Sequence, residues 1–268
     1  MEPITIIFLS CLALGTVVGL LAGMLGIGGG LIIVPVLSYL LIHLLPLSAD
    51  IVMPVAVATS LSTIIFTGSS SALAHYRLGN LKKELVVTTG VAIALGAIIG
   101  AQVASSISGL LLKNIFAVLV ILIAAQMIFN KREASRFPAN RPILAIVGLF
   151  TGVISALMGI GGGALLVPLL IFFQVNMRHA IGCAAISGLF IALFGTASFV
   201  LAGWGNPALP EGAVGYVYLP ATFGIVATSI FTANWGAKLG QKTNTRVLKW
   251  ILAALLVVVS IRMISGLE

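Results

Sequence analysis

Gly26-Ile27-Gly28-Gly29-Gly30, with Val34-Pro35 after it, recurs in the same chain as Gly159-Ile160-Gly161-Gly162-Gly163 with Val167-Pro168. The copies stand at a constant offset of 133 residues, and residues 15–37 set ungapped against 148–170 give ten identities in 23 positions. Upstream, Gly15 and Gly19 match Gly148 and Gly152. Three consecutive glycines are a poor helix interior, each costing roughly 1 kcal/mol relative to alanine. Pro35 and Pro168 lie five residues past the last glycine, where the first turn of a new helix tolerates a missing amide hydrogen. Each block therefore reads as helix, glycine-rich turn, helix.

The surrounding chain is apolar. Of its 268 residues, 60% are hydrophobic and 7% charged, against roughly 45–50% and about 25% in a soluble domain. That much apolar surface cannot all be hidden from water, so an ordinary soluble enzyme and a disordered chain are excluded. Apolar stretches run over 4–24, 31–45, 51–74, 85–107, 115–129, 143–158, 164–173, 180–202, 215–235 and 247–264. Most approach the roughly 20 residues a transmembrane helix needs. The fold class is an all-α polytopic membrane protein. The chain opens Met1-Glu2-Pro3, without the basic start of a signal peptide.

The halves meet at a polar segment, Asn130-Lys131-Arg132-Glu133-Ala134-Ser135-Arg136-Phe137-Pro138-Ala139-Asn140-Arg141. The expected organisation is a first transmembrane repeat over 1–129, a basic cytoplasmic linker over 130–141, and a second repeat over 142–268. Beyond the glycine blocks the match thins to pairs such as Ala58, Ser60 and Gly68 against Ala185, Ser187 and Gly195, and Gly100-Ala101 against Gly236-Ala237.

Charge sets the threading. Arg77, Lys82 and Lys83, then Lys131, Arg132, Arg136 and Arg141, then Arg178, then Lys238, Lys242, Arg246 and Lys249 make 12 of the 14 cationic residues. They fall in four connections. The connections over 45–50 and 204–215 hold only Asp50 and Glu211. Lys and Arg enrichment marks cytoplasmic loops, so each half has five helical pieces and the second is inserted upside-down. Both termini are predicted external to the cell inner membrane. Inverted repeats with paired broken helices characterise many secondary transporters, and the breaks point to the binding site.

The chemistry follows from the breaks. A helix start offers free amide N–H groups and the positive dipole end, a ready site for an anion. Gly28, Gly29 and Gly30 with Gly161, Gly162 and Gly163 are the predicted substrate-binding turns, facing each other about a pseudo-two-fold axis. Thr59, Ser60, Ser62 and Thr63, with Ser155 and Ser187, are candidate hydroxyl donors, and Gln102 and Asn234 are polar residues inside apolar spans. No charged residue falls mid-span, so neutral donors and helix dipoles must hold the anion weakly and exchangeably.

Other residues read more plainly. Gly15, Gly19 and Gly23, with Gly148 and Gly152, have the small-residue spacing of close helix packing. The glycine block lacks the Lys-Ser/Thr and the preceding strand of a phosphate loop. His43, His75 and His179 fall at span edges without metal-ligand spacing. Cys11 and Cys183 lie apart in apolar segments and support neither a disulfide framework nor a metal site. No catalytic residues, metal or cofactor are implied. The net charge of +8 is spread among spans rather than gathered in a domain, so its partners are lipid headgroups and not nucleic acid.

On these residues the chain resembles the sulfite exporter TauE/SafE family, also called the 4-toluene sulfonate uptake permease family. The two Gly-Ile-Gly-Gly-Gly…Val-Pro blocks, Ala58-Thr59-Ser60-Leu61 and the basic central linker carry the resemblance, which spans essentially the whole chain. It implies transport of sulfite, sulfonates such as sulfoacetate, or related small anions. At Ile186-Ser187-Gly188 the second half does not preserve Thr-Ser-Leu. The expected function is a secondary transporter of small sulfur-containing anions working by alternating access, with a proton as candidate coupling ion, although no mid-membrane carboxylate is present to carry it. An anion-selective channel, a membrane-embedded enzyme and a non-transporting assembly partner are the alternatives.

Overall fold

Long runs of apolar residues with hydroxyls between them form helices, because backbone groups in hydrocarbon must bond within their own segment. The computed structural model describes residues 3–25, 29–129 and 140–242, with residues 250, 253, 254, 256, 257, 260 and 263 beyond them. Most of the central linker and much of the span expected over 247–264 lie outside the described residues. The helices are α1 (Pro3–Leu25), α2 (Gly30–Leu44), α3 (Ala49–Arg77), α4 (Lys83–Ser106), α5 (Gly109–Phe129), α6 (Arg141–Met158), α7 (Gly163–Phe172), α8 (Met177–Ala202) and α9 (Leu219–Lys242). Among the described residues, six helices have a stretch long and apolar enough to cross a membrane: α1, α3, α4, α5, α6 and α8. The protein is a multi-pass helical membrane protein.

The side-chain distribution is that of a molecule solvated by lipid. Among the described residues, every buried polar side chain apart from Tyr218 and the cysteines is Ser or Thr. Large apolar side chains face outward instead, such as Val17, Leu122, Phe150, Leu201 and Phe231. Exposed apolar surface on this scale marks contact with a membrane rather than water.

Three expected boundaries shift. The fifth span begins at Gly109, six residues before the apolar run starting at 115, because the Ser108 hydroxyl accepts the Leu111 amide at 3.3 Å and the Asp50 carboxylate accepts the Gly109 amide at 2.9 Å from a distant segment. The span expected from 215 begins instead at Leu219. Residues before it form a two-residue antiparallel ladder, β1 (Ala213–Val214) with β2 (Val217–Tyr218), so the described fold is helical with one small hairpin. Pro35 and Pro168 each stand sixth in their helices, not in the first turn, because α2 and α7 start on the last glycine itself.

Small residues set the helix packing. On α1, a Cβ at Gly15 would strike the Ile225 carbonyl and one at Gly19 would strike Ser229, both on α9. On α6, Gly148 meets Thr89 and Gly152 meets Ile93, both on α4. Gly236 of α9 packs on the Leu20 carbonyl, and Gly100 of α4 on that of Val153. The glycine pairs differ by 133 residues on α1 and α6, and their partners by 136 on α9 and α4. Contacts advance together along both chains in α1 with α9 and in α4 with α6, so each pair runs parallel. In α3 with α8, Gly68 lies at Leu189 while Gly195 lies at Leu61, so this pair is antiparallel. Hydroxyls add interhelical bonds, such as Thr228 Oγ1 to the Leu12 carbonyl at 2.8 Å. Such bonds contribute about 0.6 kcal/mol each on average.

Candidate anion site at the paired glycine turns

Both glycine blocks break the helix as their composition requires. Gly29 has φ 75° and ψ −19° and caps α2; Gly162 has φ 71° and ψ −18° and caps α7. This left-handed conformation costs an L-residue roughly 1–2 kcal/mol and glycine little. Each capping carbonyl accepts the first bonds of its helix. Ile32 and Ile33 donate to Gly29 at 3.0 and 3.2 Å, and Leu165 and Leu166 donate to Gly162 at 3.1 and 2.8 Å. The amides ahead of these point out of the helix start, where an anion is stabilised.

The two starts converge. Gly30 packs so closely on the Gly159 carbonyl that a Cβ would collide with it. Gly159, at φ 64°, ends α6 and lies against Val34 and Val57. Gly161 packs against Ile64 on α3 and Gly188 on α8. The turns thus sit where the antiparallel helices α3 and α8 pass. Gly29, Gly30, Gly161 and Gly162 are buried, and Gly163, the first residue of α7, is half-buried. Gly28 lies outside the described residues.

The hydroxyls divide into two groups. Ser60 donates to the Gly159 carbonyl at 2.8 Å and ties the second turn to α3. Thr59 Oγ1 accepts the Tyr218 amide at 3.0 Å, anchoring the hairpin. Ser62 bonds Thr222 at 2.7 Å, and Thr63 donates to the Ser60 carbonyl at 2.7 Å. Ser187 faces Cys183 at 3.9 Å rather than a turn, although its neighbour Gly188 touches Gly161. Gln102 is exposed and donates to Ser198 at 3.0 Å, joining α4 to α8 away from the turns. Asn234 lies on α9, twelve residues beyond the Thr222 that faces Ser62. The structure brings Gly30 and Ser60 onto Gly159 at the second turn, packs Gly161 of that turn on Gly188, and gives Thr59, Gln102 and Ser187 partners elsewhere.

Two further hydroxyls belong to this place. Thr151 and Ser155 on α6 are fully buried, and neither oxygen has a hydrogen-bond partner. Ser155 Oγ lies 3.5 Å from the point where a Cβ on Gly162 would stand, with a Thr151 methyl at 3.7 Å. Sequence reasoning misses Thr151. Its one signal is its register in the aligned block, where the first half carries Val18. No buried side chain among the described residues carries a formal charge. The chemistry on offer is hydrogen-bond donation from amides and hydroxyls, with two helix dipoles aimed inward.

A polytopic helical membrane protein with two buried, broken-helix turns is the class that this fold and site define. The family model for the sulfite exporter TauE/SafE matches residues 11–263, and the chain belongs to that family. It is 38% identical to a probable membrane transporter protein of Haemophilus influenzae, over 95% of this chain and 97% of that one. Probable membrane transporter proteins of Methanocaldococcus jannaschii and Bacillus subtilis are 25% and 26% identical, over 93% and 96% of this chain and 92% and 97% of theirs. No solved structure matches.

Proposed function

We propose that the protein is a secondary transporter of small sulfur-containing anions, sulfite, sulfoacetate or another organosulfonate, working by alternating access. The observation that carries this reading is the packing of the α2 start, capped by Gly29, onto the second glycine turn, which leads to the α7 start capped by Gly162 and itself lies between α3 and α8. Family membership and the transporter names of its relatives support the same class.

The halves are arranged as inverted repeats in this scheme. The support is reciprocal: α1 pairs with α9 as α6 pairs with α4, through glycines and partners at constant offsets. Helices matched by the repeat, α3 and α8, run oppositely. The halves rock about the turns, exposing them first to one side of the inner membrane and then to the other. Both termini lie outside the cell. A proton is the candidate coupling ion, and lipid covers the apolar perimeter.

Uptake into proteoliposomes tests the reading. Sulfite, sulfoacetate, sulfate, thiosulfate, taurine and a carboxylate control are compared. Saturable uptake of a sulfur oxyanion is expected. Uptake of none overturns it, and single-channel currents would replace the carrier with an anion channel.

A further inference from the structure

The two glycine turns share one backbone and differ in what lines them. The point where a Cβ on Gly29 would stand is lined by Val18, Ala22 and Ile33. The same point on Gly162 is lined by the Ile191 side-chain end, the Ser155 hydroxyl at 3.5 Å and the Thr151 methyl at 3.7 Å, with the Thr151 hydroxyl on the same carbon as that methyl. Val18 and Thr151 differ by 133 residues, as do Ala22 and Ser155. The repeat thus places a methyl wall at the start of α2 and two hydroxyl-bearing residues at the start of α7.

Those hydroxyls are costly where they stand. Each is wholly buried and lacks a partner, and an unpaired buried hydroxyl costs about 1–3 kcal/mol. Many other buried hydroxyls bond to a carbonyl, as Ser38, Thr63 and Thr89 do, and those of Thr196, Tyr218, Ser229 and Ser260 are unpartnered as well, so it is the place of Ser155 at the Gly162 turn that sets it apart. Ser155 lies in the last turn of α6, and its carbonyl accepts the Ile160 amide at 2.9 Å. The glycine turn therefore holds its Cα in place beside the α7 start, and its Oγ reaches toward Gly162.

We propose that the anion site is one-sided: the oxyanion binds at the start of α7, with Ser155 as hydroxyl donor and Thr151 as the second, while the α2 start takes no oxygen. This rests on the transport reading above and deepens it by naming the residues that hold the substrate. An oxyanion leaving water needs donors for several oxygens, and hydrogen bonds to a charged group are the strong ones. The α7 start supplies amides and hydroxyls together; the α2 start supplies amides beside methyl groups. Ile191 Cδ1, 2.6 Å from the Cβ point on Gly162, covers the site and must swing aside as the anion enters. It is the end of a flexible side chain, so the movement is cheap.

The test measures anion affinity of purified full-length protein by thermal shift and calorimetry, with sulfite and sulfoacetate as probes and chloride as control. Ser155→Ala and Thr151→Val copy the residues of the first half at nearly constant volume. Each is expected to weaken binding roughly tenfold or more, and the double variant to abolish it. Thr151→Ser should restore binding, which loss of packing would not explain. Val18→Ala, at the α2 turn, should leave affinity unchanged. If Ser155→Ala does not fold, Ser155→Cys keeps the shape with a weak donor and is expected to weaken binding. Wild-type affinity in the double variant overturns the one-sided site and leaves the transport reading standing. A wild-type protein that binds neither probe overturns both.

Discussion

The Ser60 hydroxyl, in the middle of α3, donates a 2.8 Å hydrogen bond to the carbonyl of Gly159, where α6 breaks into the second glycine turn. One bond thus joins the third helix of the first half to the broken segment of the second. Both residues are buried, so the carbonyl has no water to turn to. Ser60→Ala should cost about 1–3 kcal/mol, lower the thermal midpoint in detergent and weaken transport. An unchanged midpoint would show that the bond does not hold the turn.

The glycines of the turns should not tolerate substitution equally. Gly30→Ala drives a methyl into the Gly159 carbonyl, which cannot move aside cheaply. Gly162→Ala is crowded only by the Ile191 side-chain end but must adopt φ 71°, at roughly 1–2 kcal/mol. Gly161→Ala meets an Ile64 methyl at 3.4 Å and should be mildest. Folded yield and thermal midpoint across the three variants check this order, and a Gly30→Ala protein as stable as Gly161→Ala contradicts it.

Thr89 Oγ1 on α4 lies 3.1 Å from Cys183 Sγ on α8. Thr89→Cys should therefore form a disulfide with the native Cys183 on oxidation, while Cys11 stays reduced. Disulfides require Cα atoms within about 7 Å, so the bond reads the α4–α8 packing directly. Mass spectrometry of the oxidised variant that found no such bridge would place the helices differently.

Sidedness can be read in intact cells. In a background with Cys11→Ala and Cys183→Ala, Ala208→Cys should react with an impermeant thiol reagent. Ser135→Cys, in the basic linker, should react only after the membrane is opened. The expectation follows from the clustering of Lys and Arg in alternate connections. Reaction of both residues from the same side would refute the threading.

Helix positions were legible because hydropathy is local: the ends of the runs at 51–74, 85–107 and 180–202 fall within three residues of those of α3, α4 and α8. The departures at α5 and α9 have long-range contributions. Gly109 starts α5 because Ser108 caps it locally, its hydroxyl accepting the Leu111 amide at 3.3 Å, and Asp50 accepts the Gly109 amide from 59 residues away. The hairpin before α9 is anchored through Tyr218 to Thr59, 159 residues away. The hydroxyls of the candidate site were less legible still. Residue type does not say whether Ser60 will hold a carbonyl, Ser187 face a thiol, or Ser155 stand unpartnered.

The sequence by itself determined that the chain lives in a membrane, that its halves repeat, and that each half is broken at three glycines. Composition, period and glycine conformation act through neighbours along the chain, so they can be read from it. Only the tertiary structure decided that the two breaks meet, and that they are not equivalent. Gly30 packs onto Gly159, which Ser60 of α3 holds by a hydrogen bond. The same packing leaves the unpartnered Ser155 hydroxyl, with Thr151 next to it, beside Gly162 and methyl groups beside Gly29. A hydroxyl's role depends on which acceptors lie within about 3 Å, and that is set by helices distant in sequence.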